Sequence, residues 1–374
     1  MRILQIIYES PESPFGYGGA GVRAHEIYNR LKDRHEITLL CMRYPGAKDG
    51  MRDGLNHVFV GTESRNLTRS VLAYTIKAAQ FVRKHADSFD VIVENFLPST
   101  PFFSKFLTRK PVILQVQGIM EKHSLKKFSP LHSLPMYAVE QFYPGLHDRF
   151  IFVSDITKKK IMERVKRQVI SCHVIPNGIG EDLLNVVPEE KDYILFLSRI
   201  DIYTKGLDIL IKAFEKISIR HPALRLILAG YEFDRFDSLL SGIPTSLRKR
   251  IEYAGFVTGD AKIRLLSGAK LFVMPSRHES SPISILEAAA CAKAVIVSDI
   301  PELSYVREAG FGLSFPSGSV DGLVEKIDFL LRDAATRADM GRKGRAYARQ
   351  FLWDRIALQF EDALRHIKRS PVIK

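Results

Sequence analysis

Residues 270–297 read KLFVMPSRHESSPISILEAAACAKAVIV, and this stretch decides the fold class of the chain. Short apolar runs at 270–274 and 294–297 have the length and composition of buried strands. Between them, residues 282–292 favour a helix that begins at a proline. A strand, a helix and a second strand in this order predict a βαβ unit with a parallel sheet.

The same alternation of strand and helix patterns extends along almost the whole chain. Further strands are predicted over 2–8, 36–41, 57–60, 90–94, 111–116, 149–153, 172–175, 192–198, 224–229 and 251–254. Further helices are predicted near 19–33, 66–86, 131–147, 155–166, 206–219, 259–267 and 320–332. The predicted fold class is therefore α/β, with one doubly wound, Rossmann-like sheet in each half.

The length also predicts two domains, because 374 residues exceed what one hydrophobic core ordinarily organises. The acidic, proline-containing stretch 182–191 precedes the first strand of the second half and predicts the join. We expect a first domain over 1–187 and a second domain over 188–354. An apolar helical spacing near the C-terminus predicts a last helix over about 355–374.

The composition excludes several classes of protein. With 46% hydrophobic and 26% charged residues, the chain is neither disordered nor a coiled coil. It contains neither an apolar run long enough to span a bilayer nor the core of a signal peptide. The cysteines, Cys41, Cys172 and Cys291, lack the spacing of a disulfide framework or a thiolate zinc site. These features predict a cytoplasmic protein in a reducing compartment.

The net charge is +13, and the first half is the more basic one: residues 1–187 hold 26 basic and 18 acidic residues, or +8, which leaves +5 for the second half. An anionic membrane surface or an anionic substrate would explain this excess, and solvated helix faces would explain it equally well. Nucleic acid is disfavoured because no recognition motif accompanies the charge. The basic residues are clustered at Lys105/Arg109/Lys110, Lys122/Lys126/Lys127 and Lys158/Lys159/Lys160/Arg164/Lys166/Arg167.

The loop after the first strand contains GYGGAG at 16–21. Gly16, Gly18 and Gly21 match the G-x-G-x-x-G pattern of dinucleotide sites. The match is poor, because seven residues separate these glycines from the strand and no acidic residue closes the second strand. Two interpretations stay open: backbone N–H groups at the start of a helix bind an anion such as phosphate, or the loop is a mobile part of the surface.

Two cations follow the first strand of the second half. Arg199 comes directly after the strand at 192–198, and Lys205 precedes Gly206 at the start of the next predicted helix. An arginine fork and a lysine point charge at one strand end are suited to a diphosphate. A surface ion pair is the plainer alternative for the arginine.

Two carboxylates lie in the stretch that opens this section. Glu279 and Glu287 flank the turn between strand and helix, where they could accept hydrogen bonds from pairs of sugar hydroxyls. Pro282 suits the first helical turn, and Ser280 or Ser281 suits the N-cap. The backbone N–H groups around Ser281 to Ile283 would then meet a diphosphate. A chance pair of carboxylates is the alternative interpretation.

Together with these residues, longer segments resemble the retaining glycosyltransferases of family 4, which have the GT-B fold. The resemblance covers nearly the full length and is specific. It is carried by GYGGAGVRAHEIYNRL at 16–31, FVSDITKKKI at 152–161, VIPNGIGEDLL at 174–184, LSRIDIYTKGLDILIKAF at 197–214, LILAG at 226–230, YAGFVTGDAKIRLLSGAKLFVMPSRHESSPISILEAAACAKAVIVSDIPELSYV at 253–306 and FLWDRIA at 351–357.

The resemblance implies two Rossmann-like domains facing across a cleft, with a C-terminal helix that crosses back to the first domain. The second domain would bind a nucleoside-diphosphate-sugar, UDP- or GDP-linked, and the first domain would bind the acceptor. By this resemblance, Gly18 and Gly19 would form a backbone cradle near the diphosphate, and Arg199 and Lys205 would clamp it. Glu279, with Ser281, Pro282 and Ile283, would lie at the donor sugar and phosphate. Glu287 would bind the ribose hydroxyls, and Val257 would lie at the base.

Two departures from the family pattern concern the donor sugar. Many members have Gly-Phe-Gly-Leu where this chain has Ser280-Ser281-Pro282-Ile283, which would reshape the sugar pocket. Many also place a histidine where this chain has Gln117. Gln117 could replace the hydrogen bond of that histidine but not its charge.

No cofactor and no metal ion are expected. The sequence contains no Asp-x-Asp motif, and its nearest approximation, Glu232-Phe233-Asp234, suits a surface loop. Arg199 and Lys205 could neutralise a diphosphate without a metal. We therefore expect Glu279, Arg199 and Lys205 to support catalysis.

These expectations define a metal-independent hexosyltransferase that moves a sugar to a glycan or lipid-linked acceptor with retention. The product would belong to a cell-envelope polysaccharide, a glycolipid or a glycoprotein glycan. A cytoplasmic monomer or dimer, peripheral on the inner face of the membrane, is consistent with the basic first domain. The alternatives are a UDP-sugar 2-epimerase of GT-B type and a non-enzymatic scaffold that binds nucleic acid or membranes.

Overall fold

A computed structural model describes residues 1–370 as two compact units. The first unit comprises residues 1–177 and 353–370, and the second comprises Gly178–Leu352. The second unit thus begins before the predicted join at 187. The physical reason is that Leu183 is buried in the core of the second unit, and the Ile179 N–H donates to the Phe351 carbonyl oxygen at 2.8 Å.

A largely parallel sheet organises the first unit. Its strands are β1 (Arg2–Ile6), β2 (Glu36–Met42), β3 (Gly50–Arg52), β4 (Leu55–Val60), β5 (Val91–Asn95), β6 (Val112–Val116), β7 (Arg149–Phe152) and β8 (Ser171–Val174). Their order is β3-β4-β2-β1-β5-β6-β7-β8, with β3 antiparallel to β4. The helices are α1 (Gly19–Leu31), α2 (Leu67–His85), α3 (Ser104–Leu107), α4 (Lys122–Lys127), α5 (Pro130–Phe142) and α6 (Asp155–Met162).

The second unit has a smaller parallel sheet. Its strands are β9 (Tyr193–Leu197), β10 (Arg225–Ala229), β11 (Ile251–Tyr253), β12 (Leu271–Met274), β13 (Val295–Ser298) and β14 (Gly312–Phe315), in the order β11-β10-β9-β12-β13-β14. The helices are α7 (Leu207–Arg220), α8 (Phe236–Leu239), α9 (Thr245–Arg248), α10 (Gly259–Gly268), α11 (Ile283–Ala290), α12 (Ser304–Glu308), α13 (Val320–Arg332) and α14 (Ala334–Ala348). The predicted fold class, with two parallel-sheet α/β units, is confirmed.

The last helix, α15 (Trp353–Arg369), belongs to the first unit. It packs on α1, where the ring of Phe360 meets the ring of Tyr28 edge-on at 5.8 Å. It begins two residues before the predicted helix over 355–374, of which residues 371–374 lie outside the described chain. Its buried Ile356, Phe360, Leu364 and Ile367 follow the apolar spacing seen in the sequence.

Several predicted boundaries and local features differ from the structure. The helix predicted over 131–147 ends at Phe142 and gives way to a 3₁₀ turn over Tyr143–Leu146, since Pro144 cannot donate a helical hydrogen bond. The helix predicted over 282–292 begins at Ile283, and Pro282 with its extended backbone (φ −70°, ψ 118°) occupies the N-cap expected for a serine. Strands β3 and β14 and helices α3, α4, α8, α9, α12 and α14 were not predicted.

Each sheet reverses its strand order at one point, between β1 and β5 in the first unit and between β9 and β12 in the second. In open parallel sheets, ligands bind at such a reversal, beyond the carboxyl ends of the strands. The loops that follow β1, β5, β9 and β12 are therefore where functional residues are expected.

Candidate functional site

Two loops meet at the strand-order reversal of the second unit. Gly206, in the loop after β9, has φ +67°, and a Cβ atom there would lie 2.0 Å from the Pro275 carbonyl oxygen in the loop after β12. The Arg277 N–H also donates to the Thr204 carbonyl oxygen at 2.9 Å. Only glycine permits this close approach of the two loops. As a result, residues of the loop after β9 lie next to residues of the loop after β12.

Lys205 and Glu279 form an ion pair across these loops. The Lys205 Nζ lies 2.6 Å from the Glu279 Oε1, and their side chains are only 13% and 6% exposed. The Ser276 hydroxyl donates to the same carboxylate oxygen at 2.7 Å. The structure thus brings together two of the residues predicted from the sequence, and it adds Ser276, which the sequence analysis did not single out.

Arg199 lies in the same loop region but has other partners. Its guanidinium is exposed, donates to the Asp201 Oδ2 at 3.0 Å and lies over the ring of Phe233, 5.0 Å from the centroid. Asp201 is fully buried and also accepts from the Thr204 N–H at 3.0 Å. Asp201 therefore fixes the loop between the two predicted cations, and Arg199 is held by Asp201 rather than by Glu279.

Glu287, on α11, is paired with a lysine that sequence reasoning missed. The Lys262 Nζ, on α10, donates to the Glu287 Oε1 at 2.5 Å, and the carboxylate is almost fully buried. The signal for Lys262 was weak, because a lone lysine on a predicted helix ordinarily faces solvent. Helix packing places it here, since α10 and α11 are neighbours.

Four further predicted residues lie beyond strand ends of the second unit. Val257 is partly buried against the core of this unit and follows Gly255, which has φ +70°. Ser281 and Ile283 are half-buried and flank the N-cap Pro282 of α11. Their position at the N-terminus of α11 agrees with the predicted place of the turn, although the serine cap is replaced.

The glycine loop of the first unit contains an internal anion. The Glu9 Oε2 accepts from the Gly18 N–H at 2.9 Å and from the Gly21 N–H at 2.6 Å, at the start of α1. Glu9 is buried, whereas Gly18 and Gly19 are exposed. Of the two N–H groups predicted to cradle a diphosphate, that of Gly18 is thus bonded to a carboxylate of the chain, and the cradle itself stays a prediction.

Gln117 is also bonded within the first unit. Its Nε2 donates to the Oδ1 of Asn95, the last residue of β5, at 2.8 Å. The Gln115 Nε2 donates to the same oxygen at 3.4 Å. Neither Glu9 nor Asn95 was predicted as a functional residue, and only their positions at strand ends could have drawn attention to them.

A buried carboxyl group lies beside Asn95. Glu94 is fully buried in β5, and the Tyr143 hydroxyl donates a short hydrogen bond to its Oε1. The Phe103 N–H in turn donates to the Tyr143 oxygen at 2.8 Å. Burial raises the pKa of Glu94 from 4.5 to about 7, and the hydrogen bond from Tyr143 opposes this rise.

The basic clusters of the first unit are partly neutralised within the chain. Lys105 forms a close ion pair with Asp148. Lys160 and Arg164 pair with Glu121 at 2.7 and 3.0 Å. The exposed members of the clusters include Arg109, Lys122, Lys126, Lys159, Lys166 and Arg167. The charge available to an external partner is therefore smaller than the sequence indicates.

Two acidic side chains in the loop after β10 accept hydrogen bonds from backbone N–H groups. The Asp234 Oδ2 accepts from the Ile202 N–H at 2.7 Å, and the Glu232 Oε1 accepts from the Phe236 N–H at 2.5 Å.

Over residues 1–370, no group of three or more His, Cys, Asp or Glu side chains is arranged to hold a metal ion. In the same range, every helix is too short or too polar to cross a membrane.

Two family models match the chain. The model described as "Glycosyltransferase Family 4" matches residues 17–183, and the model described as "Glycosyl transferases group 1" matches residues 185–347. A glycosyltransferase of Methanocaldococcus jannaschii is 30% identical over 96% of this chain and 96% of its own length. The phosphatidyl-myo-inositol mannosyltransferase of Mycobacterium tuberculosis is 26% identical over 62% of this chain and 64% of its own length.

Solved structures share the fold. The sucrose-phosphate synthase of Thermosynechococcus elongatus matches with a TM-score of 0.80 and 19% identity, over 97% of this chain and 98% of its own. Anabaena HepE in complex with UDP-glucose matches with a TM-score of 0.74 and 19% identity, over 98% of this chain and 99% of its own. The chain belongs to glycosyltransferase family 4 and has the GT-B fold.

Proposed function

We propose that this glycosyltransferase moves a hexose from a nucleoside-diphosphate-sugar to a glycan or lipid-linked acceptor, with retention of the anomeric configuration. The observation that carries the proposal is the buried pair of Lys205 and Glu279 at the strand-order reversal of the second unit. A cation and a carboxylate at this position match a diphosphate joined to a sugar.

The donor class rests on this pair and on the named relatives. A UDP-glucose complex is known for one protein of the same fold, and one relative is named a mannosyltransferase, so UDP- and GDP-linked sugars are the first donors to test. We assign Lys205 and Arg199 to the diphosphate and Glu279 to the sugar. Glu287 is assigned to the ribose hydroxyls, and the N-terminus of α11 with Val257 to the phosphate and base.

The proposed reaction takes place on one face of the sugar. The bond between the anomeric carbon and the diphosphate oxygen breaks, and the acceptor hydroxyl oxygen bonds to that carbon from the same side. The departing diphosphate takes the proton of the acceptor hydroxyl. Lys205 and Arg199 stabilise the charge that develops on the diphosphate, which is the largest contribution a preorganised site makes to such a step.

Metal independence is part of the proposal. Two cations near the diphosphate supply the positive charge that Mg²⁺ or Mn²⁺ supplies in other transferases. Excess EDTA should therefore leave the transfer rate unchanged. A strict requirement for a divalent cation would contradict this part of the proposal and leave the transfer reaction itself in place.

The acceptor is proposed to lie on or near an anionic membrane. The exposed lysines of the first unit could bind anionic headgroups, each with about 1 kcal/mol, and a relative named for phosphatidyl-myo-inositol supports a lipid acceptor. The protein would then act at the cytoplasmic face as a peripheral enzyme.

Calorimetry with UDP, GDP and ADP and their common sugars tests the donor class. We expect one nucleotide to bind, and NMR of the product to show the anomeric configuration of the donor. Glu279→Ala should retain affinity for the nucleoside diphosphate and lose transfer, because its proposed partner is the sugar. Failure of every nucleotide to bind, or an inverted product, would refute the proposal.

A further inference from the structure

Helix α5 buries two polar residues and exposes several apolar ones on one face. Ser133 and Glu140 are buried, whereas Leu131, Leu134 and Phe142 are 80%, 58% and 56% exposed. With the exposed Pro135 and Ala138, these residues recur at three, four, seven and eleven positions from Leu131, so they share one helix face. A helix on a water-exposed surface ordinarily has the opposite arrangement.

The buried side of α5 is held in place by Glu140. Its two carboxylate oxygens accept from the Met120 N–H at 2.6 Å and the Glu121 N–H at 2.8 Å, just before α4. Arg164 lies 3.5 Å from the same carboxylate. Rotating α5 to bury its apolar face would leave this carboxylate and both N–H groups without their partners, which is strongly unfavourable.

Helix α4, which is the neighbour of α5, carries exposed lysines. Helix α4 packs on α5 and exposes Lys122 and Lys126, with Leu125 between them. Lys127 lies over the ring of Phe128, 5.4 Å from its centroid. Between residues 122 and 142 the only acidic residue is Glu140, which is buried. The exposed part of α4 and α5 therefore combines apolar side chains with positive charge.

We propose that α4 and α5 form an interfacial anchor for an anionic lipid bilayer, in which the face with Leu131, Leu134 and Phe142 enters the boundary between headgroups and acyl chains. The lysines of α4 bind anionic headgroups beside it. This inference rests on the proposed function and deepens it, because charge alone gives weak docking whereas inserted apolar side chains give the larger part of interfacial binding. Glu140 orients the helix for this insertion.

The first experiment measures co-sedimentation of the full chain with phosphatidylcholine vesicles that contain phosphatidylglycerol. The triple variant Leu131→Ser/Leu134→Ser/Phe142→Ser should lower partitioning at least about tenfold, since it removes three side chains from the apolar boundary. The matched control is Val187→Ser/Ile219→Ser/Phe329→Ser in the second unit. These three side chains are 80%, 81% and 48% exposed, respectively. The control should partition like the unsubstituted chain.

Further variants test the charged contribution and the apolar contribution to vesicle binding separately. Lys122→Gln/Lys126→Gln should lower the preference for anionic over neutral vesicles and the sensitivity to salt. In Leu134→Trp, vesicles with brominated acyl chains should quench the fluorescence of the new tryptophan. In Ile219→Trp, the same vesicles should leave the fluorescence of the new tryptophan unchanged. Trp353, the single tryptophan of the chain, is buried and supplies a constant background.

Nucleotide calorimetry without vesicles distinguishes failure of this inference from failure of the proposed function. If nucleotides bind to the apolar triple variant as to the unsubstituted chain, loss of vesicle binding is specific to the anchor. Equal partitioning of the apolar triple variant and the unsubstituted chain would overturn the inference. Size-exclusion chromatography gives a second such outcome: if the triple variant converts a dimer to a monomer and still binds vesicles, the face is a contact between copies of the chain.

Discussion

The strand-order reversals of the two units differ in what their charged groups bind. In the second unit, Lys205 and Glu279 come from different loops and bind each other. In the first unit, the Glu9 carboxylate binds N–H groups of its own following loop. A lysine and a carboxylate can each exchange their partner for an external anion or hydroxyl, whereas two N–H groups at the start of α1 already have an acceptor within the chain.

In the proposed function, this difference separates a ligand site in the second unit from a scaffold in the first. In the proposed function, a diphosphate takes over Lys205, and Glu279 turns its freed oxygen to the donor sugar. In this exchange Lys205 gains an anionic partner, while Glu279 keeps the hydrogen bond from the Ser276 hydroxyl and gains hydrogen bonds from sugar hydroxyls. At the strand ends of the first unit, Glu9 accepts a hydrogen bond from the Gly18 N–H and Asn95 accepts one from Gln117.

The largest expected effect tests the exchange at Lys205. Lys205→Ala should lower the transfer rate by roughly 100- to 1,000-fold, because one preorganised donor to the leaving diphosphate is lost. The rate is measured below the melting temperature, since Glu279 also loses its partner. The control is Lys191→Ala, which removes an exposed lysine paired with Glu189 at 2.9 Å and should leave the rate unchanged. Equal rates for both variants would remove Lys205 from the mechanism.

The sequence predicted where three residues of the second unit lie, because they follow strong local patterns, and their roles stay predictions. Arg199, Lys205 and Glu279 each follow an apolar strand, and the parallel fold brings such strand ends to one edge. Their partners were harder to predict. Asp201, Lys262 and Ser276 are defined by contacts between separate elements, and no local pattern distinguishes them from surface residues.

Helix α14 shows the same limit for the fold. Its residues have no clear apolar periodicity, because its contact with α11 is made partly through glycines. A Cβ atom at Gly341 would lie 2.2 Å from the Ala292 carbonyl oxygen, so the missing side chain is what permits the contact. Hydrophobic patterns do not reveal this kind of packing, and α14 was therefore not predicted.

The second prediction concerns the buried carboxyl of the first unit. Because folding raises the pKa of Glu94 from 4.5 to about 7, its contribution to stability is complete below pH 4.5 and is lost as the pH rises to about 7. Glu94→Gln removes this titration. Relative to the unsubstituted chain, the variant should gain roughly 3 kcal/mol in unfolding free energy between pH 4.5 and pH 8. Denaturant unfolding measures this difference, and a pH-independent difference would contradict the buried titration.

The third prediction tests whether Glu287 binds the nucleotide. Glu287→Ala should weaken nucleoside diphosphate binding by about 1.5–3 kcal/mol, since it removes a charged acceptor for the ribose hydroxyls. Lys262→Met is the matched control, because it breaks the same ion pair and leaves the carboxylate in place. It should weaken binding less than Glu287→Ala. If the two variants lose affinity equally, the ion pair matters only for local structure.

The smallest expected effect sharpens the role of the first-unit loop. Glu9→Ala removes the acceptor of the Gly18 and Gly21 N–H groups at the start of α1 and should lower the unfolding free energy by about 0.5–2 kcal/mol, as the loss of a helix cap does. Glu9→Gln keeps an acceptor oxygen and loses the charge that favours a helix N-terminus, so its loss should be smaller. Thermal unfolding at low and high salt measures both variants, and the difference between them should shrink as salt screens the helix dipole. Unchanged stability in Glu9→Ala would mean that water replaces the carboxylate as the acceptor of these N–H groups. The N–H groups at the start of α1 would then be as accessible to an external anion as Lys205 is in the second unit.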